Sequence, residues 1–263
     1  TNTGSIGFNG QSGARTLTLA GSSALATNVV AAVIGDSGGA TSLVKDGSGS
    51  WTLTGNNAYS GTTTINAGNL TMGSNGTTGS VGTGDIVNNG QFLVRRSNAV
   101  TLSQTISGAG NLIQSGSGTT TLSGNNTYTG TTLLAGLGTI SISSLGDGGS
   151  ASGIGAATNS ADNIVFVSAF STLKYTGAAT STDRLFSIGV GAEAIIDASG
   201  SGAINFTNTG SIVMVPGGGS PRSLTLAGLN AGDNTLAAAL GDSSSATSLK
   251  KSGAGTWVLT GAN

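Results

Sequence analysis

The chain contains no cysteine and no histidine, and only 2 prolines in 263 residues. Without thiols or imidazoles there is no disulfide, no Cys/His zinc site and no histidine general base. Charge is also scarce. Nine Lys and Arg stand against ten Asp and Glu, a net charge of −1. No basic excess is available to neutralise phosphates, so nucleic acid is excluded as a partner. The longest clean apolar run, about residues 29–34, is far short of a membrane span. No secretory leader opens the chain, so an export signal is expected to have been removed or to lie outside it. Aromatic residues number 11, too few to dominate a large core.

What the chain has instead is 47 glycines among abundant Ser, Thr and Asn, with hydrophobic residues at 37%. Low net charge with that apolar content is not the signature of disorder. The apolar residues are also patterned. Segments such as Leu17-Thr18-Leu19, Trp51-Thr52-Leu53-Thr54 and Trp257-Val258-Leu259-Thr260 alternate or nearly so. A period of two sends side chains to opposite faces of a strand. Gly, Asn and Ser interrupt these runs every five to ten residues, as turn residues do. Residues 24–34 are Ala-rich but carry three Val, and strand is favoured there over helix.

Repetition is the strongest feature. Residues 47–63 and 116–132 are identical at 12 of 17 positions, at an offset of 69. Further starts of the same pattern lie at residues 200 and 253, giving uneven spacings of 69, 84 and 53. A longer unit sits above this. Residues 28–57 match 234–263 at 18 of 30 positions, at an offset of 206. The chain therefore reads as one long repeat over 1–206 and a partial second copy over 207–263. It is expected to be one continuous solenoid segment, an excerpt of a longer repetitive chain. A propeller would space its blades evenly and a sandwich would not repeat, whereas a solenoid tolerates insertions between coils. Aligned coils would also let Thr, Ser and Asn form ladders.

The residues Leu43-Val44-Lys45-Asp46-Gly47-Ser48-Gly49-Ser50-Trp51-Thr52-Leu53-Thr54-Gly55-Asn56-Asn57-Ala58-Tyr59-Ser60-Gly61-Thr62-Thr63-Thr64-Ile65, running on to Leu70, resemble the autotransporter-associated β-strand repeat. Residues 112–140 follow the same pattern, with Gln114 at the lysine position, and residues 249–263 follow its first half. The resemblance implies an all-β, right-handed parallel β-helix forming a single elongated rod. It also implies the exported passenger of a bacterial surface protein, attached to the outer membrane through a part not present here. Coils of roughly 20–25 residues would make the 206-residue unit roughly 45 Å long. Leu43, Trp51, Leu53, Tyr59, Ile65 and Leu70 are expected to stack in the core, with Leu112, Leu122, Tyr128, Trp257 and Leu259 as equivalents.

Each candidate site has a plainer reading beside it. The ten acids Asp36, Asp46, Asp85, Asp147, Asp162, Asp183, Glu193, Asp197, Asp233 and Asp242 are scattered, which disfavours a polysaccharide-cleaving carboxylate pair. The Gly-Asp turns at 35–37 and 241–243 lack the acid density of a calcium ladder, so backbone capping is the expectation. Arg95-Arg96 reads as a solvated edge, and Trp51 and Trp257 as core and not as sugar platforms. No catalytic, cofactor or metal residue is assigned, and the chain is not expected to be an enzyme. The expected role is a structural stalk or fibre, with end-to-end or lateral self-association. The alternative is an adhesin whose loops, such as 146–162 or 216–222, contact cells or glycans.

Overall fold

The computed structural model describes residues 2–8, 12–23, 27–167, 170–217, 219–243 and 245–263. Among them the chain forms short strands whose ladders are all parallel, one 3-10 turn at Ala161–Asn163 and no α-helix. The chain winds as a solenoid of about ten turns. The expected strand within 24–34 is Thr27–Val30; residues 24–26 lie outside the described residues.

One complete turn shows the plan. Ile106–Ser107 lies on a first side, Asn111–Gln114 on a second and Thr119–Leu122 on a third, each in a different sheet. The second side is a nine-stranded sheet running from Thr27–Val30 to Val213–Met214. The third runs from Val100–Leu102 to Thr247–Lys251. The first side begins at Arg15–Leu19 and loses regular pairing beyond Ile106–Ser107. There the stack is carried by bonds outside any strand, Thr127 N–H to the Ile106 carbonyl (2.9 Å), Thr129 N–H to the Gly108 carbonyl (2.9 Å) and Ala156 N–H to the Tyr128 carbonyl (2.8 Å). It then resumes from Thr180–Thr182 to Thr256–Leu259.

Turn length varies. Ser50 pairs with Asn69 across one of the shortest turns, and Thr139 with Thr172 across one of the longest. The coils are thus less uniform than expected. Much of the extra length bulges out at 143–160 and leaves the ladders in register.

Strand alternation places one column of side chains inside. On the second side Leu53, Met72, Val94, Gln114, Leu134, Phe166, Ile188 and Met214 stack in register, all buried. Each such apolar side chain contributes about 1.5–3 kcal/mol when fully covered, and the cover comes from the turns above and below. Phe166, Phe186 and Phe206 form a second ladder, edge to face, with ring centroids 5.8 and 6.1 Å apart.

The turns approach so closely that glycine is required at some corners. A Cβ on Gly82 would lie 2.2 Å from the Tyr59 carbonyl oxygen. Gly155, at φ +78°, sits in the same way over Tyr128, where a Cβ would lie 2.4 Å from the carbonyl.

The expected core residues from Leu43 to Leu70, and Leu112, Leu122 and Tyr128, are buried, apart from the tryptophans. Trp51 and Trp257 pack against the core only half-buried. Their indole N–H groups donate outward to the Ala20 (3.1 Å) and Ala227 (2.9 Å) carbonyls of the turn below. Leu259 is 40% exposed, because its strand pairs on one side only, with Asp233–Leu236.

The two copies of the long unit make the same bonds. Asp36 and Asp242 each accept from the backbone N–H five positions on, Thr41 and Thr247, at 2.7 Å. Gly47 and Gly253 both have positive φ, +70° and +72°. Yet the copies lie on different sides: Thr41–Lys45 belongs to the first side and its counterpart Thr247–Lys251 to the third. Between them the chain completes eight turns and two further sides. The long unit therefore advances about eight and two-thirds turns, rising roughly 42 Å.

Candidate functional site

The interior of the rod contains charged and amide side chains that the sequence pattern reads as surface. Lys45 follows Leu43 at the same inward parity and is fully buried. Its ammonium donates to the carbonyls of Asp46 (3.0 Å), Gly47 (2.7 Å) and Ala67 (2.9 Å), the last on the next turn. Burial pushes its pKa down. Lys251 donates to the corresponding Ser252 and Gly253 carbonyls, both at 2.8 Å. Gln114, the third member, reaches the Gly116 and Gly118 carbonyls with its amide and accepts from Thr120 Oγ1 at 2.6 Å.

Arg96 follows the same rule. The expected solvated pair divides: Arg95 is exposed, but Arg96 has the inward parity of Phe92 and Val94 and is buried. Its guanidinium donates to the Gly79 and Thr77 carbonyls, and to Asn98 Oδ1 at 3.1 Å. Arg184 is also buried and donates to the carbonyls of Gly146, Asp147, Ser150 and Gly155. The loop 146–162, a candidate contact loop from the sequence, is therefore clamped onto the rod. In each case backbone carbonyls, and no carboxylate, take up the buried charge.

Asparagines tie turn to turn. Asn57 Oδ1 accepts from the Ile34 N–H (2.8 Å) and its amide donates to the Ser80 carbonyl (2.6 Å), so it bonds to the turn below and the turn above. Asn126 does the same with Ile106 (2.8 Å) and Gly153 (2.8 Å). Asn126→Ala leaves the buried Ile106 N–H and the Gly153 carbonyl without a partner. The expected loss is about 2–3 kcal/mol by urea unfolding, while Thr101→Ala on the exposed outer face should stay within about 0.5 kcal/mol of the parent.

Tyr59 and Tyr128, equivalent in the short repeat, each pair their hydroxyl with a threonine, Thr63 and Thr132, at 2.7 Å. Burial raises both phenol pKa values above the ordinary 10.0. The folded state thus holds the proton more tightly than the unfolded chain. The associated stability is complete below about pH 10 and is lost as pH rises above it. Titration from about pH 9 to about 12 should show phenolate absorbance from these two residues only together with loss of the β-sheet circular dichroism.

The acids do not converge: among the described residues no group of three or more Asp or Glu is placed to hold a metal ion. Several are spent on the backbone. Asp85 accepts from Thr105 N–H (2.9 Å), Asp147 from Asp183 N–H (2.9 Å), and Asp183 from Gly148 N–H (2.7 Å). The pKa of Asp36 is held below the ordinary carboxylate value by hydrogen bonds from Ser60 and Thr41.

One flank differs from the rest. At the corner between the second and third sides a groove of about 290 Å³ is lined by Phe170, Glu193, Arg222, Ser223, Ser248 and Lys250 among others. Phe170 is 59% exposed, whereas every other aromatic residue is buried or half-buried. It is also held at φ +61°. Glu193 accepts from Lys250 (3.1 Å) and Thr225 (3.0 Å). Burial works to raise its pKa, but hydrogen bonds from Lys250, Thr225 and Ser223 together hold it below the ordinary value. Arg222 is buried and donates through Nη2 to the Val215 carbonyl, while its Nε and Nη1 have no hydrogen-bond partner. The sequence marks 216–222 as a candidate loop; it gives no sign that Phe170 and Glu193, on two earlier turns, complete the groove with it.

Comparison with known proteins agrees with this architecture. The passenger-associated-transport-repeat family matches residues 43–72, 112–140 and 249–263. These are the segments whose lysine or glutamine donates to the corner carbonyls. The chain is 33% identical over 253 residues to a protein described as "Adhesin BmaC autotransporter" from Brucella suis biovar 1 (strain 1330). That match takes in 83% of this chain but only 7% of the relative, so the chain spans a small part of that protein's length. No solved structure matches. Carrying the transport repeats, and sharing a third of its aligned residues with an autotransporter adhesin, the chain is similar to a segment of an autotransporter passenger and is folded as a parallel β-solenoid.

Proposed function

We propose that this segment serves as a stalk, a spacer that projects other parts of the passenger from the cell or builds an extracellular filament, with attachment to the outer membrane through a different part of the protein. The observation that carries this reading is the bond-for-bond agreement of the two long copies: the same Asp turns, indole bonds and lysine-to-carbonyl bonds recur in the second copy. Length then follows from copy number, with no chemistry required. Because each unit ends two-thirds of the way round a turn, successive units set their outer faces a third of a turn apart. A filament would display flank features in a spiral, and three units would bring them back to the same side.

Electron microscopy of a passenger with one 206-residue unit added or removed tests this. The expected change in rod length is roughly 42 Å per unit. An unchanged length, or loss of folding on adding a unit, contradicts it. A second reading, direct adhesion, is favoured by the groove beside Phe170 and by the word "Adhesin" in the relative's description. A polysaccharide-cleaving role has least support, since the acids do not converge and several are engaged in caps.

A further inference from the structure

Three observations single out the groove at Phe170. First, a solenoid of this kind hides its aromatic residues, and ten of the eleven are buried or half-buried while Phe170 stands 59% exposed. Second, a positive φ at a bulky aromatic residue is a costly conformation; such strain gathers where structure is held for a purpose. Third, the charges do not balance. One acid, Glu193, shares the groove lining with two cations: Lys250, bonded to it at 3.1 Å, and Arg222, whose Nε and Nη1 have no hydrogen-bond partner. Elsewhere on this sheet Lys251 is taken up by backbone carbonyls, and Lys174 and Asp197 pair with each other at 3.8 Å.

The long repeat adds a fourth point. Lys250 occupies the position that Val44 holds in the other copy, beside the shared Lys251 and Lys45. The framework keeps an inward donor, Lys45, Gln114 or Lys251, and leaves the outer position free. The charge at 250 therefore belongs to this flank and not to the stack.

We propose that the groove binds a pyranose ring bearing a carboxylate, the chemistry of an acidic surface glycan. A volume of about 290 Å³ suits one ring. Phe170 offers an apolar surface for the C–H face of the sugar. The hydroxyl of Ser248 and the free acceptor capacity of Glu193 serve ring hydroxyls. Lys250 is 54% exposed at its side chain and has donors beyond the one given to Glu193. Together with the buried charge of Arg222 it favours a carboxylate over a neutral substituent.

The test is calorimetry and saturation-transfer NMR on the intact chain with trigalacturonate and sialyllactose, each compared with its methyl ester. The expected result is saturable binding of at least one acid, weakened roughly fivefold or more in the ester. Phe170→Ala should weaken binding roughly tenfold. Lys250→Val, the residue of the other copy, should remove the preference for acid over ester. Neither side chain fills the core, so both variants should keep the thermal midpoint of the parent, which separates a lost site from a lost fold. Absence of binding at millimolar acid, equal binding of the ester, or unchanged binding by Phe170→Ala overturns the proposal. None of these results bears on the stalk reading, which is decided by rod length.

Discussion

Phe186→Ala will cost about 3–5 kcal/mol of stability in urea unfolding. Phe186 is 1% exposed and stands between Phe166 and Phe206 on neighbouring turns, at 5.8 and 6.1 Å between ring centroids. Truncation removes both edge-to-face pairs and opens a cavity that parallel ladders on each side hold open. Because a solenoid's stability is a sum over neighbouring turns, the damage should be local. Amide exchange should accelerate in Ile164–Phe166 and Ile204–Phe206, and remain slow in Thr63–Ile65. Phe186→Leu should recover more than half of the loss, since it refills most of the volume.

Arg184→Ala is expected to be comparably severe, about 3–5 kcal/mol, by a different route. Its guanidinium satisfies four carbonyls from Gly146 to Gly155, which together fold a long insertion back onto the turn. Without it the Ser150 carbonyl loses its donor, and the carbonyls of Gly146, Asp147 and Gly155 each keep a single one, from Thr182, Ser150 and Ser152. Arg184→Lys should rescue little, because one ammonium on a narrower head cannot reach the same spread of acceptors. The distinguishing readout is proteolysis. Cleavage within 144–160 should appear in Arg184→Ala before global unfolding, whereas Phe186→Ala should leave that loop resistant.

These two residues also show how far the sequence can be read. The stack, its parallel direction and most of its apolar column follow from alternation and from the two repeat offsets, as Leu43, Leu53, Ile65 and Leu70 illustrate. Residues whose chemistry opposes their parity are harder. Arg96 looks like surface until its place two positions after Val94 is weighed, and Lys45 stands in the same relation to Leu43. The signal is present, but a buried cation becomes tolerable only when turn carbonyls converge on it, and that convergence depends on the neighbouring turn. Trp51 departs in the opposite sense: its register partner Leu70 is buried, yet the indole straddles the wall to reach the Ala20 carbonyl. The groove is legible only in part. Lys250 differs visibly from Val44, but Phe170 and Glu193 join it through the pairing of Ser171 with Ala194 and of Glu193 with Ser223, which no spacing in the sequence announces.

Pulsed electron-electron resonance between spin labels on one outer column tests the winding most directly. Thr101, Thr121, Ser141, Lys174, Asp197 and Ala227 are successive register partners on the third side. With Thr101 labelled as one end, labels at Lys174, Asp197 and Ala227 should give narrow distances that grow by ~4.8 Å per turn, to roughly 24 Å between backbones at Ala227. Distances that fail to increase in equal steps, or that shorten between Asp197 and Ala227 as strands folding back on themselves would require, contradict the solenoid.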